Sequence, residues 1–217
     1  KVRGQVRGGV GGRGGIASGM TRALAKEGAD IAVVERVAEK GEAVAREVEK
    51  TGVRVLAIEC DITDRAQVDA AVTQLLAELG KIDLLVNNAT GVTIATSNLP
   101  FIEHTESDFD RIFAVDVKGT VHFMQACYPH FKAQGGGKII NFSSGAGSER
   151  LAGFAAYSSA KEGVRAITGV VAKEWGPDNI NVNVVCPAAM TPGMKSFVEK
   201  HKDTEFKKKA FGNRQIN

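Results

Sequence analysis

The 217 residues suffice for one domain with a full core, and 43% hydrophobic against 24% charged residues is an ordinary soluble balance. A formal net charge of +3 is too small to argue for nucleic acid or an anionic membrane as partner. No run reaches the ~18 apolar residues of a membrane span, and the opening residues carry no signal-peptide pattern.

Residues 1–19 are rich in glycine. Residues 6–10 are expected to form a first strand, although Arg7, Gly8 and Gly9 suit a strand poorly. Gly11-Gly12-Arg13-Gly14-Gly15-Ile16-Ala17 then leads into helical spacing at Met20, Leu24 and Ala25, which stops at Gly28. A glycine turn entering a helix suits a pyrophosphate, because the backbone approaches closely and the helix N-terminus offers amide donors. Two registers of the turn compete, since residues 9–14 also spell G-x-G-x-x-G. The Arg-Gly pairs near the start also admit a flexible segment for single-stranded nucleic acid. That reading is the weaker one, because an ordered βαβ pattern follows at once.

Residues 29–35 predict the second strand, ending in Glu35. Its distance from the glycine turn, roughly ~20 residues, suits a carboxylate that binds the adenosine ribose diol. Such a carboxylate repels a 2′-phosphate and favours NAD over NADP, with Arg36 offsetting part of the repulsion; otherwise Glu35 is a solvated strand end. A polar helix over 38–50 and a strand over 53–60 follow. Asp61 and Ile62 could hold an adenine ring, by hydrogen bond and by contact, unless Asp61 simply begins the next turn. Asp64 is placed to cap a helix to Leu79. A strand over 82–86 ends at Asn87 and Asn88, which can cross-link neighbouring strand ends. After a loop over 92–104, one long helix is expected from about 106 to 131, with Thr105 as cap and Asp108 at its third position.

Residues 138–142 predict a buried strand whose carboxyl end carries Ser143 and Ser144, where open α/β sheets place ligands. The next helix, 154–175, carries Tyr157 and Lys161 four residues apart, hence on one face and one turn apart. An ammonium within a few ångströms of a phenol favours the phenolate, and a phenol so tuned is a general acid/base for an alcohol or ketone. Ser144 could then face Tyr157 and hydrogen-bond the same substrate oxygen. A sixth strand over 180–186 is closed by Pro187, and Thr191 could bond a nicotinamide carboxamide or cap a helix before Pro192. Residues from about 190 to 210 form an expected lysine-rich helical lid, the lysines most simply a solvated face. Strands alternate with helices throughout. The fold class is therefore α/β, a doubly wound, three-layer, Rossmann-like parallel sheet, with 1–217 one dinucleotide-binding catalytic domain. Cys60, Cys127 and Cys186 have no metal-type spacing and fit reduced thiols of a cytoplasmic protein. His104, His122, His130 and His201 form no ligand motif and read as surface or helix residues, so no metal is expected.

Together these features resemble the short-chain dehydrogenase/reductase family over nearly the whole chain. The resemblance rests on Asn87-Asn88-Ala89, on Ser144 thirteen residues before Tyr157, on Tyr157-x-x-x-Lys161, and on Pro187 with Thr191. It implies that Tyr157 is the catalytic acid/base and that Ser144 polarises the substrate oxygen. It also implies that Lys161 binds the nicotinamide ribose while acidifying Tyr157, and that Gly11 and Gly15 line the pyrophosphate turn. The further cofactor contacts expected are Ile16, Glu35, Asp61, Ile62, Asn88, Pro187 and Thr191.

Several positions depart from the family pattern. Val10 and Ala17 alter the glycine motif, Thr90 stands for Gly after Asn-Asn-Ala, and Ala188 stands for Gly after Pro187. Asp116 occupies the place of an Asn in the proton relay with Lys161. Its backbone carbonyl could still hold the relay water, while its charge would oppose part of the effect of Lys161 on Tyr157. A further strand and helix that the resemblance implies at the C-terminus have no counterpart here.

The expected function is NAD(P)-dependent hydride transfer between nicotinamide and a secondary alcohol or ketone, with NAD preferred. The alternative is a catalytically impaired dinucleotide-binding sensor or scaffold. The expected partners are a small-molecule substrate and a second copy in a homodimer or homotetramer, with no nucleic acid or membrane. The loop over 92–104, residues 148–151 and the lid are expected to shape the substrate pocket.

Overall fold

A strand buried on both faces sends alternate side chains to two helical layers. The computed structural model describes residues 6–10, 15–93, 98–188, 195–196 and 199. Among them six parallel strands, β1 (Val6–Val10), β2 (Asp30–Glu35), β3 (Val55–Glu59), β4 (Leu84–Asn87), β5 (Gly137–Phe142) and β6 (Ile180–Val185), pair in the order β3-β2-β1-β4-β5-β6. This is the doubly wound order, with its reversal between β1 and β4.

The weak first strand is central. Gly8 pairs with Ala32 on one side and Leu85 on the other, and Gly9 with Val33 and Val86. Ladders along both edges outweigh the poor strand preference of two glycines. The same pairing overturns the flexible Arg-Gly reading for residues 6–10.

The layers follow from alternation in β2. Ile31 and Val33 pack with Val44 and Val48 of α2 (Ala38–Glu49) and Ala25 of α1 (Gly15–Lys26). Ala32 and Val34 point the other way, into the main core. That core also holds Val68, Leu75 and Leu79 of α3 (Arg65–Leu79), and Phe123, Met124 and Phe131 of α5 (Gly119–Ala133). Ile167 and Val171 of α7 (Ala155–Trp175) close it. Asp64 caps α3 by accepting from the amides of Ala66 and Gln67, and Gly80 ends it at φ 86°.

The expected single helix over 106–131 is three segments. α4 (Glu106–Ile112) starts with the Thr105–Asp108 capping box, a π-helical segment runs Phe113–Lys118, and α5 continues from Gly119. Hydrophobic periodicity does not mark a π turn, which inserts one residue without breaking the helix. The turn coincides with Asp116, whose side chain is tethered outside the helix while its carbonyl accepts from Thr120 Oγ1 at 2.7 Å. Asn87 does link strand ends, since its Nδ2 donates to Asn141 Oδ1 at 2.9 Å. Asn141 Nδ2 donates in turn to Thr168 Oγ1 at 2.9 Å, tying β4 and β5 to α7. Gly11, Thr191 and most of the expected lid lie outside the described residues. No helix among the described residues is long and apolar enough to cross a membrane.

Candidate active site

The carboxyl ends of β2, β3 and β4 open onto a cleft of about 490 Å³ beside the point where strand order reverses. Glu35, Asp61 and Ile62 all line it, with Ala89, Thr90 and Gly91 forming the wall after β4. Glu35 is half-buried, and its Oε1 accepts from the Arg36 amide at 3.0 Å. Asp61 serves the turn as well as the cleft, because its Oδ1 accepts from Thr63 N at 2.9 Å and Thr63 Oγ1 at 2.7 Å. Ile62 backs onto α5: a Cβ on Gly119 would come within 2.5 Å of Ile62 Cδ1. Asn88 is half-buried just ahead of that wall. Gly15 opens α1, and Gly11, Gly12 and Gly14 before it lie outside the described residues. The side chain of Ile16 packs against Leu84, Val86 and Phe142, which leaves its backbone as the part able to meet a cofactor.

A dinucleotide fits these residues. Gly91 is part of the cradle wall, where an added Cβ would lie 2.9 Å from the Arg111 carbonyl and 3.1 Å from Ile112 Cα. A carboxylate at the end of β2 and a helix N-terminus after β1 are the acceptor and donors that a ribose diol and a pyrophosphate require.

The candidate reacting groups lie on the other side of the switch point. Tyr157 is half-buried near the start of α7 and packs on a buried apolar cluster of Ile112, Ala156 and Ala160, which Phe109, Phe113 and Val117 also cover. Phe154 meets its ring edge-on at 6.4 Å. Lys161 follows one turn later, with its Nζ 5.7 Å from the Tyr157 ring centroid. Ser144 stands two residues beyond β5 and caps the short turn α6 (Gly145–Ser148), its Oγ accepting from Ala146 N at 3.2 Å. A hydroxyl that accepts keeps its own proton free to donate. Ser143, one residue earlier, is structural: its Oγ donates to the Lys161 carbonyl at 2.8 Å. Pro187 follows the end of β6 and is half-buried.

The expectation for Asp116 was a charge near Lys161 opposing part of its effect on Tyr157, with the backbone carbonyl still able to hold a relay water. The Asp116 carboxylate pairs directly with the Lys161 ammonium at 2.8 Å, their side chains 0% and 4% exposed. The ammonium also donates to the Phe142 carbonyl at 3.0 Å. Lys161 therefore lies against the phenol ring with its charge already partnered. Thr90 and Gly91 are the residues that sequence reasoning missed. Thr90 Oγ1 lies 2.9 Å from Asp116 Oδ1, and the Gly91 amide donates to Oδ2 at 2.6 Å. Their signal was available: Thr90 and Asp116 are both departures from one pattern.

Ser148, Arg150 and Leu151 line a hollow of about 670 Å³ with Phe101 and Glu162, and Tyr157, Lys161 and Ser144 lie outside its walls. His104 is half-buried at the end of the short turn Phe101–Glu103, its ring nitrogens without a hydrogen-bond partner among the described residues and its ring edge-on to Phe109 at 5.7 Å. The three cysteines are free thiols, Cys60 and Cys127 buried and Cys186 exposed.

Comparison with known proteins agrees with this geometry. The short chain dehydrogenase family model matches residues 9–203, and the chain belongs to that family. A 12alpha-hydroxysteroid dehydrogenase of a Clostridium species is 40% identical over 84% of this chain and 71% of its own length. A sorbitol dehydrogenase of Cereibacter sphaeroides is 37% identical over 81% of this chain and 66% of its own. The crystal structure of an NAD+-bound xylitol dehydrogenase superposes with a TM-score of 0.87 at 30% identity, covering 99% of this chain and 79% of that one. That of levodione reductase gives 0.89 at 28% identity, covering 100% and 84%. The protein is accordingly an oxidoreductase of this family acting on CH–OH groups with a nicotinamide dinucleotide. The sensor or scaffold reading is not favoured by these relatives, each named for a redox activity.

Proposed function

We propose that the protein interconverts a secondary alcohol and its ketone with NAD in preference to NADP. The dinucleotide, when bound, supplies the hydride acceptor or donor. Tyr157 takes the hydroxyl proton of the alcohol, or returns it to the ketone oxygen. Ser144 donates to the same oxygen and holds it beside the phenol. Lys161 holds the local positive charge, and Asp116 fixes where that charge sits. Glu35 receives the adenosine ribose diol, and Asp61 and Ile62 flank the adenine. Gly11, Gly15 and Ile16 offer the pyrophosphate turn, with Asn88 on the cleft wall and Pro187 and Thr191 on the nicotinamide side. The single observation that carries the reading is the placement of Tyr157 and Lys161 on one face of α7, the ammonium 5.7 Å from the phenol ring, at the carboxyl end of the sheet with Ser144.

Substrates of the relatives include a hydroxysteroid and sugar alcohols, so the test is a panel of both with simple secondary alcohols. Appearance of reduced nicotinamide with at least one of them, lost in Ser144→Ala, supports the reading. Thermal stabilisation by NAD with no turnover across the panel would overturn it in favour of a binding-only role. The free thiols suit a reducing cytoplasm, and pairing of two copies through the helices over 106–131 and 154–175 belongs to the same proposal.

A further inference from the structure

Thr90 and Asp116, the two departures nearest the reacting groups, touch each other. The Asp116 side chain is fully buried and takes donors from two other elements. Lys161 and the Thr90 hydroxyl meet Oδ1 at 2.8 and 2.9 Å, and the Gly91 amide meets Oδ2 at 2.6 Å. Thr120 pins the backbone of the same residue through its carbonyl. A carboxylate can accept from all three donors at once. An amide at position 116 could not, since its NH2 would face either the ammonium or the Gly91 amide, donor against donor. Glycine at position 90 would offer no hydroxyl. The two departures are thus one unit, consistent only when taken together.

We infer that Thr90 is a positioning residue for proton transfer at Tyr157, acting through Asp116 on Lys161. The inference rests on the proposed function and adds a residue to it. An ion pair of Lys161 with Asp116 has no net charge, so its field at the phenol depends on where the carboxylate is held and how its charge is shared. Thr90 draws part of that charge away from the ammonium. Tyr157 packs on an uncharged cluster of Ile112 from α4 and Ala156 and Ala160 from α7, which Phe109 of α4 and Phe113 and Val117 of the π segment also cover. The charged pair beside the phenol is Lys161 of α7 with Asp116 of the π segment. The ring of His104, which meets Phe109, is one side chain further out.

The experiment is the pH profile of kcat/KM for alcohol oxidation at saturating NAD, in the intact protein. Thr90→Val keeps the shape and removes the donor. Its rising limb moves to higher pH, and kcat/KM at neutral pH falls roughly three- to tenfold, the scale of one ordinary hydrogen bond, since Thr90 reaches the phenol only through the ion pair. Thr90→Ser restores both. Asp116→Asn moves the limb to lower pH, because a negative charge has been removed beside the ammonium. In the Asp116→Asn background, Thr90→Val moves the limb no further. If Thr90→Val folds poorly, Thr90→Gly carries the same test. An unmoved limb in Thr90→Val, or an equal shift in both backgrounds, overturns the inference. A fully active Tyr157→Phe would instead overturn the proposed function itself, so the two failures are distinguishable.

Discussion

Replacing Lys161 with methionine strands the Asp116 carboxylate in a site where its side chain is 0% exposed. Removing one partner of a buried ion pair costs about 3–5 kcal/mol, because an uncompensated charge remains. The Gly91 amide and Thr90 hydroxyl continue to stabilise the anion, which sets the expectation at the lower end, about 3 kcal/mol. For a chain of this size that corresponds to a loss of roughly 6–12 °C in Tm. The sign with pH follows from the same charge. Once stranded, the carboxylate takes up a proton more readily in the folded than in the unfolded chain, so the variant regains stability as pH falls and loses it as pH rises. Urea unfolding of both proteins at pH 7 and at pH 5 reads this directly: the gap between them narrows at the lower pH. Adding Asp116→Asn to Lys161→Met recovers part of the loss, since no charge is left to strand. A deficit below about 1 kcal/mol, or a gap that stays constant with pH, would refute the placement of a buried ion pair here.

Three other outcomes follow from the same structure. Asn141→Ala leaves Asn87 Nδ2 and Thr168 Oγ1 without their shared partner and opens a small cavity, so denaturant unfolding should report a loss of about 2–4 kcal/mol. Glu35→Gln removes the charge that opposes a 2′-phosphate, and the ratio of kcat/KM for NADP over NAD should rise roughly tenfold. Of the three thiols, burial and then the charges of Asp61 and Asp64 push Cys60 up to about 11, and burial pushes Cys127 up to about 12. Near pH 8 a thiol reagent should therefore modify one cysteine, the exposed Cys186, in the folded protein and three in denaturant.

Much of the sheet is legible because its strands announce themselves twice, by apolar runs and by the turn residues around them. Helix starts at Asp64 and Thr105 are equally plain, since a capping side chain and the amides it serves are neighbours in sequence. What escapes is contact between distant residues. Nothing local links Thr90 to Asp116, or Asn141 to Thr168, and a π turn leaves no mark in a hydrophobic pattern. The charge on Asp116 was visible, and so was its bearing on Lys161. That the two side chains meet directly at 2.8 Å is a tertiary contact, which no local pattern marks. The poor strand preference of Gly8 and Gly9 misleads for the opposite reason, because pairing on both edges is a tertiary property.

Tyr157→Phe tests the central claim most directly, because it removes a single oxygen and leaves the ring packed on Ile112, Ala156 and Ala160. Turnover and NAD affinity are measured on the same preparation. The account predicts turnover reduced by at least about a hundredfold, the scale of lost general acid/base catalysis, with NAD binding kept. Near-wild-type turnover would contradict it.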